Sequence, residues 1–219
     1  MTDEMKVQMY AGDVAIGEEV TYSVKNYAET IIEDEATYGA AAVALAKAML
    51  NYGGYAQVYF GYDLSNLANE SLTAAEKDLS SVTISSLESY KKGEQANEAI
   101  GFVAGSNLSL KSATTLMLYF KLADGVDVSS LTFKVNDVIV NAVESGAYYI
   151  VMIENIAAHD LDTEYTVTVS DGTNTLTATY SAMTYVYNIL SRDRAQELKD
   201  VVAALRLYNL AANAYKEGV

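Results

Sequence analysis

The sequence contains no cysteine, no proline and no tryptophan, and only one histidine in 219 residues. Without cysteine there can be no disulfide, thiolate nucleophile, Cys-ligated zinc or iron–sulfur cluster. Many exported bacterial proteins also lack cysteine, so the absence does not assign a compartment. A glycosidase of this length without a single tryptophan would be unusual, since sugar subsites generally stack on aromatic faces. The one histidine, His159 in "IAAHDLDTEY", stands beside Asp160. Neighbours at a strand end point to opposite sides, so no triad-like relay is expected of the pair. Basic residues are also scarce, at 14 against 29 acidic, for a formal charge of −15 with no basic stripe. Phosphate backbones and anionic lipid surfaces should be repelled, so no nucleic acid partner is expected. The longest apolar run, "ATYGAAAVALAKAML", is too short to span a membrane and carries Lys47. No G-x-S-x-G, H-E-x-x-H, P-loop or G-x-G-x-x-G occurs, which removes the usual support for hydrolase and nucleotide-binding readings. The start, "MTDEMKVQMYAGD", has no apolar signal core, so an export signal is expected to have been removed or to lie upstream.

The hydrophobic share of 51% is enough for a substantial core without covalent staples. Residues 1–24 read as a β-hairpin, Lys6 to Tyr10 and a run through Val20 to Tyr22, turning at Ala11-Gly12-Asp13. Residues 25–62 read as helices, with Ser23 as N-cap and a break near Glu33-Asp34-Glu35. Residues 63–99 are polar and loop-rich, with a capping box in "TAAE" at Thr73 and an extended "SVTISSLESY". Between 100 and 183 the period changes to two: "NLSLK", "TLMLYFKLA", "LTFKVND", "VIVNAV", "YYIVMIENI", "EYTVTVSDG" and "TNTLTATYSA" alternate between turn signals. Residues 184–219 return to helix. The expected architecture is an α+β single module, with an antiparallel sandwich flanked by N- and C-terminal helical hairpins that pack together.

The helices carry an internal duplication. Setting Tyr52 against Tyr208 also pairs Ala48 with Ala204, Met49 with Leu205, Ala56 with Ala212 and Tyr59 with Tyr215. With a two-residue gap upstream, Tyr27, Ile31 and Ile32 match Tyr185, Ile189 and Leu190. At about 100° per residue, Leu45, Ala48, Met49, Tyr52, Ala56 and Tyr59 share one stripe, which should be core. Gly53 and Gly54 lie off its centre, where another element could approach closely.

Within the β-region, "LDTEYTVTVSDG" is similar to the corner of fibronectin type III and immunoglobulin-like domains, although it lacks the usual turn proline. That similarity implies a buried Leu161 and a backbone partner for the Tyr165 hydroxyl. More widely, "SVKNYAETII", "LAKAMLNYGGYAQVYFGYDLSNLAN", "YYIVMIENIAAHDLDTEYTVTVSDG" and "VVAALRLYNLAANAY" resemble a module of large exported, multi-modular proteins of gut Clostridia such as ruminococci and eubacteria. The resemblance implies a secreted or cell-wall-associated chain with neighbouring modules, often glycan-active or adhesive. It implies no activity.

No cofactor, metal or catalytic residue is expected. Asp124, Asp127 and Asp171 fit turn chemistry better than a spaced acidic calcium loop. Two remote carboxylates roughly 5 to 9 Å apart could cleave a glycoside without leaving a motif, but Glu29, Glu33, Asp34 and Glu35 read more simply as a solvated helix end. Asn69 and Asn107 head glycosylation sequons, relevant only in a glycosylating host. The tyrosines, 18 against four phenylalanines, are the best functional candidates because each joins a flat ring to a hydroxyl. Tyr55 and Tyr62, which the second copy does not keep, are the expected ligand-binding residues. Two readings stand: a non-catalytic binding or adhesion module, with polysaccharide or another surface protein as partner, or a structural spacer with no ligand.

Overall fold

The computed structural model describes residues 1–110 and 113–218. Lys111, the last residue of the expected strand "NLSLK", lies outside the described residues. The helices are α1 (Val24–Glu33), α2 (Glu35–Tyr38), α3 (Ala40–Phe60), α4 (Ala182–Leu190) and α5 (Gln196–Glu217). Strands β1 (Met5–Ala11) and β2 (Val14–Tyr22) precede them. A central series comes between α3 and α4: β3 (Ala96–Asn97), β4 (Gly101–Leu110), β5 (Thr114–Leu122), β6 (Thr132–Val135), β7 (Val138–Val140), β8 (Val143–Ser145), β9 (Tyr148–Ile153), β10 (Tyr165–Ser170) and β11 (Thr175–Tyr180). The chain is α+β with three sheets, and it divides into two compact units, Thr83–Asp193 and the remainder.

The first unit begins with the expected hairpin, a two-stranded sheet turning at Gly12 with φ 61°. Its register pairs Met5 with Tyr22, Val7 with Val20 and Met9 with Ile16, which puts these apolar side chains on one face. Lys6 and Thr21 pair on the other, where Lys6 Nζ lies 3.1 Å from Glu19. A bulge comes after Val7, and the Gln8 amide fills it by donating to the carbonyls of Ile16 and Gly17.

Ser23 caps α1 by accepting from Asn26 N at 3.0 Å, and the Asp34 carboxylate caps α2 through Thr37 N at 3.1 Å. The helical break therefore falls where Glu33-Asp34-Glu35 placed it. The core of this unit joins Ala28 of α1, Ala46 and Leu50 of α3, and Ala68 and Leu72 of the loop after α3. Each fully buried leucine here contributes about 2 kcal/mol of transfer free energy.

On the other side of α3 lies α5. Tyr52 and Tyr208, the two positions equated by the duplication, stack with ring centroids 5.8 Å apart and planes 12° from parallel. Each copy thus meets its own equivalent, as at the axis of an isologous contact. Burial, then the neighbouring Tyr208 phenol, pushes the Tyr52 hydroxyl up to about 12. The stripe is only partly core. Val201, Ala204, Leu205 and Ala212 are buried, but Tyr59 and Tyr215 at its far ends are 38% and 52% exposed. The expectation that Tyr59 lies inside is corrected: its ring stands open to solvent at the last turn of α3.

The second unit contains a four-stranded sheet, β11-β10-β6-β7, and a five-stranded sheet, β3-β4-β5-β9-β8. Every strand pairing among the described residues is antiparallel. Alternation along β5 is clean: Leu116, Leu118 and Phe120 are fully buried, while Lys121 is exposed. The Phe120 ring meets Phe133 of β6 edge-on at 6.2 Å, which brings the two sheets into contact. The Gln95 side chain exchanges two hydrogen bonds with the backbone of Thr179, and Asn97 Nδ2 donates to Thr175 O, so the β11 edge is closed by side-chain amides. The β6–β7 turn uses Asn136 and Asp137 at φ 47° and 66°, the left-handed pair that matches hairpin twist.

Leu161 is 1% exposed, as the corner pattern implies. The backbone partner implied for the Tyr165 hydroxyl is not found among the described residues; its phenol is pushed up by burial and then by the Asp160 carboxylate. The expected extended run "SVTISSLESY" is instead a turn leading into a 3-10 helix, Ser85–Tyr90. Thr83 and Ser86 exchange hydrogen bonds between backbone N–H and hydroxyl in both directions, which favours a local turn over a strand.

Candidate functional site

The segment Asn51 to Tyr62 does two things: it pins a loop, and it ends in a group of rings. Gly53 and Gly54 are buried on α3 because the loop after the helix passes directly over them. A Cβ on Gly54 would stand 2.1 Å from the Asn69 side chain, and one on Gly53 would meet Met1 Sδ at 2.7 Å and Ala68 Cβ at 3.0 Å. One turn further, the Gln57 amide clamps the same loop. Its Nε2 donates to the carbonyls of Asp63 and Asn66, each at 3.0 Å, and its Oε1 accepts from Ala68 N at 2.7 Å. Asn69 Nδ2 donates to Asn51 Oδ1 at 3.1 Å. Buried Lys25 donates to Asn66 Oδ1 at 2.8 Å and pairs with Glu70.

This clamp sets the path of the chain beyond α3. The helix ends at Gly61, whose φ of 66° is the left-handed cap, and Tyr62 N donates back to Gln57 O at 3.0 Å. The chain reversal places Tyr62 beside Phe60, with centroids 5.7 Å apart and planes 29° from parallel. Tyr59 meets Phe60 edge-on at 4.9 Å. All three rings are open to solvent, Tyr62 most of all at 59% exposure. A cluster of exposed, partly parallel rings on a hydrogen-bonded base can receive a flat apolar face such as that of a pyranose.

Tyr55 belongs to a different feature. Its half-buried ring lines an open concavity of about 730 Å³ with Ala74, Lys77, Ser80 and Asp200. Its hydroxyl donates to Lys77 O at 3.0 Å, and burial, then Asp200 and Asp78, push its pKa up. Tyr62 is not among the lining residues, so the two residues expected to bind ligand sit at separate places. Phe60 and Tyr59 are members of the cluster that the sequence pattern does not assign to it. The signal for them is Gly61, a helix stop that puts the residues on either side of it at one end of α3.

His159 and Asp160 fall on a 3-10 turn, Ala158–Asp160, rather than on a strand end. His159 Nε2 lies 3.2 Å from Asp160 Oδ2, so the expectation that these neighbours point apart is corrected. The acidic turn residues have local tasks. Asp127 accepts from the backbone N–H and hydroxyl of Ser129, and Asp171 from the backbone of Thr173 and Asn174. Those bonds hold both carboxyls below their ordinary range. Asn69, at the head of one sequon, is 7% exposed with its amide against Gly54, whereas Asn107 is exposed. Among the described residues no helix is long and apolar enough to cross a membrane.

Comparison with family models, curated proteins and solved structures finds no match to this chain.

Proposed function

We propose that the chain is a non-catalytic binding module whose ligand surface is the Tyr59–Phe60–Tyr62 cluster at the C-terminal end of α3, with a neutral glycan as ligand. The observation that carries the reading is the near-parallel, solvent-open pair Phe60 and Tyr62. Their base is held by Gln57 before any ligand arrives, so little ordering entropy opposes binding. The charge of −15 favours a neutral or cationic ligand over an anionic one. Tyr55 is read as a lining residue of the neighbouring concavity, its hydroxyl committed to Lys77 O.

A secreted or wall-associated setting among neighbouring modules belongs to the same proposal and rests on the sequence resemblance. So does an immunoglobulin- or fibronectin-like sandwich for Thr83–Asp193, supported by the Phe120–Phe133 contact and buried Leu161. Paired helical hairpins are supported by the Tyr52–Tyr208 stack.

Affinity electrophoresis through gels containing neutral polysaccharides tests the binding reading. Retardation of the wild type, weakened at least tenfold in Phe60→Ala and Tyr62→Ala but not in Tyr10→Ala, is the expected result. No retardation in any polysaccharide would leave the spacer reading in its place.

A further inference from the structure

The β1–β2 hairpin has an apolar face that is open to solvent. Met5, Val7, Met9, Ile16, Val20 and Tyr22 occupy that face in three cross-strand pairs, each between 42% and 67% exposed. A lone two-stranded sheet is marginal in water, and stability normally comes from covering one face. The exposed area of these six residues is on the order of 600 Å², at the upper limit of the patches that monomeric proteins leave open.

We infer that this face is a self-association surface and that its occupant is the same face of a second copy. Three observations select that occupant. The six residues carry no charge, and the charged pair of the hairpin, Lys6 and Glu19, stands with the opposite face. At −15 per chain a second copy is repelled over most of the surface, and the six paired residues add nothing to that repulsion, although Glu18 stands in the bulge between Ile16 and Val20. The areas also match: two such faces stacked flat bury about 1,200 Å² in total, the lower bound of a specific interface. The bulge at Gly17–Glu19 interrupts the β2 edge as a template for strand addition, which leaves the face rather than the edge as the contact. A two-fold axis through the Val7–Val20 pair would make the contact isologous. This inference does not rest on the aromatic cluster of α3.

Sedimentation velocity on the full chain, from low to high micromolar concentration and at low and high salt, tests it. A monomer–dimer equilibrium that shifts toward dimer with added salt is expected, because the driving force is apolar and the opposing force is charge repulsion. Ile16→Glu should remain monomeric across the range, while Thr21→Glu, on the other face, should dimerise like the wild type. Circular dichroism of each variant establishes folding. Because the chain has no other cysteine, Val20→Cys and Thr21→Cys provide a probe without an inserted charge. A short bismaleimide should cross-link the first into a dimer at least tenfold faster than the second. A wild type that stays monomeric at every concentration and salt, equal cross-linking of the two thiols, or an Ile16→Glu variant that dimerises normally would overturn the assignment. Binding to vesicles or to another protein without self-association would overturn it as well.

Discussion

Replacing Gly54 with alanine should destabilise the protein, although helix propensity alone predicts the reverse. Alanine in a helix interior is favoured over glycine by about 1 kcal/mol. At this site, however, the added Cβ would stand 2.1 Å from Cγ and Oδ1 of Asn69. Asn69 cannot swing away without loss, because it is buried and its amide donates to Asn51 Oδ1. Overpacking of this kind costs about 1–3 kcal/mol. Leaving the buried Asn51 oxygen without its donor adds about 1–3 kcal/mol. Set against the propensity gain, the net expectation is a loss of about 1–5 kcal/mol.

Gly53→Ala is the matched control. Its nearest neighbour is the flexible end of Met1 at 2.7 Å, with Ala68 Cβ at 3.0 Å, so it should cost less than Gly54→Ala. Thermal melting with hydrogen exchange on peptides of α3 and the 63–72 loop gives the readout. A double-mutant cycle with Asn69→Ala isolates the contact, and a coupling of about 1–3 kcal/mol is expected because the added methyl then has room. If Gly54→Ala raises the melting temperature and leaves loop exchange unchanged, the close approach does not govern this position.

The same clamp and its neighbour Thr73 have other measurable consequences. Gln57→Ala leaves the N–H of fully buried Ala68 without an acceptor and should cost about 1–3 kcal/mol, read in the same melts. Gln57→Glu should be worse, since a carboxylate oxygen would face the carbonyls of Asp63 and Asn66 in place of a donor. Glu76 is held down to about 2 by Lys47 first, then by the backbone and side chain of Thr73. Its folded pKa lies below the ordinary 4.5, so the associated stability is present above that value and is lost as pH falls toward about 2. Glu76→Gln should therefore flatten the acid limb of a melting-temperature profile in that window, and an unchanged limb would show that the ionised Glu76 carboxylate adds nothing to stability.

The β-region was legible because its signal is carried by side chains that differ in hydropathy: Leu116, Leu118 and Phe120 turn in, and Lys121 turns out. The hairpin, the Ser23 cap and the helical break were legible for the same kind of local reason. The "TAAE" box at Thr73 also forms, with Thr73 and Glu76 bonding reciprocally. The orientation of α3 was only half legible. The stripe from Leu45 to Tyr59 includes the Tyr52 contact with α5, but the residues buried on the helix are Val43, Ala46, Leu50, Asn51, Gly53, Gly54 and Gln57. Four of these seven are glycine, asparagine or glutamine. Hydropathy counts them as neutral or exposed, yet they are buried by backbone approach and by hydrogen bonds to a polar loop that itself looks solvent-facing.

The same limitation explains the site. A projection at about 100° per residue holds only while the helix continues. At Gly61 the left-handed cap redirects the chain, so Tyr62 returns beside Phe60, a relation no helical wheel contains. Tyr62 could be singled out because the second copy lacks it, whereas Phe60 required the knowledge that its neighbour two residues on is folded back. The clamp that hides α3 from hydropathy also produces that fold-back. Gln57 ties the helix end to Asp63 and Asn66 on the far side of the turn, so the loop-pinning residues and the exposed rings are successive consequences of one local structure. Loss of Gln57 should accordingly loosen the aromatic cluster before it unfolds the helix.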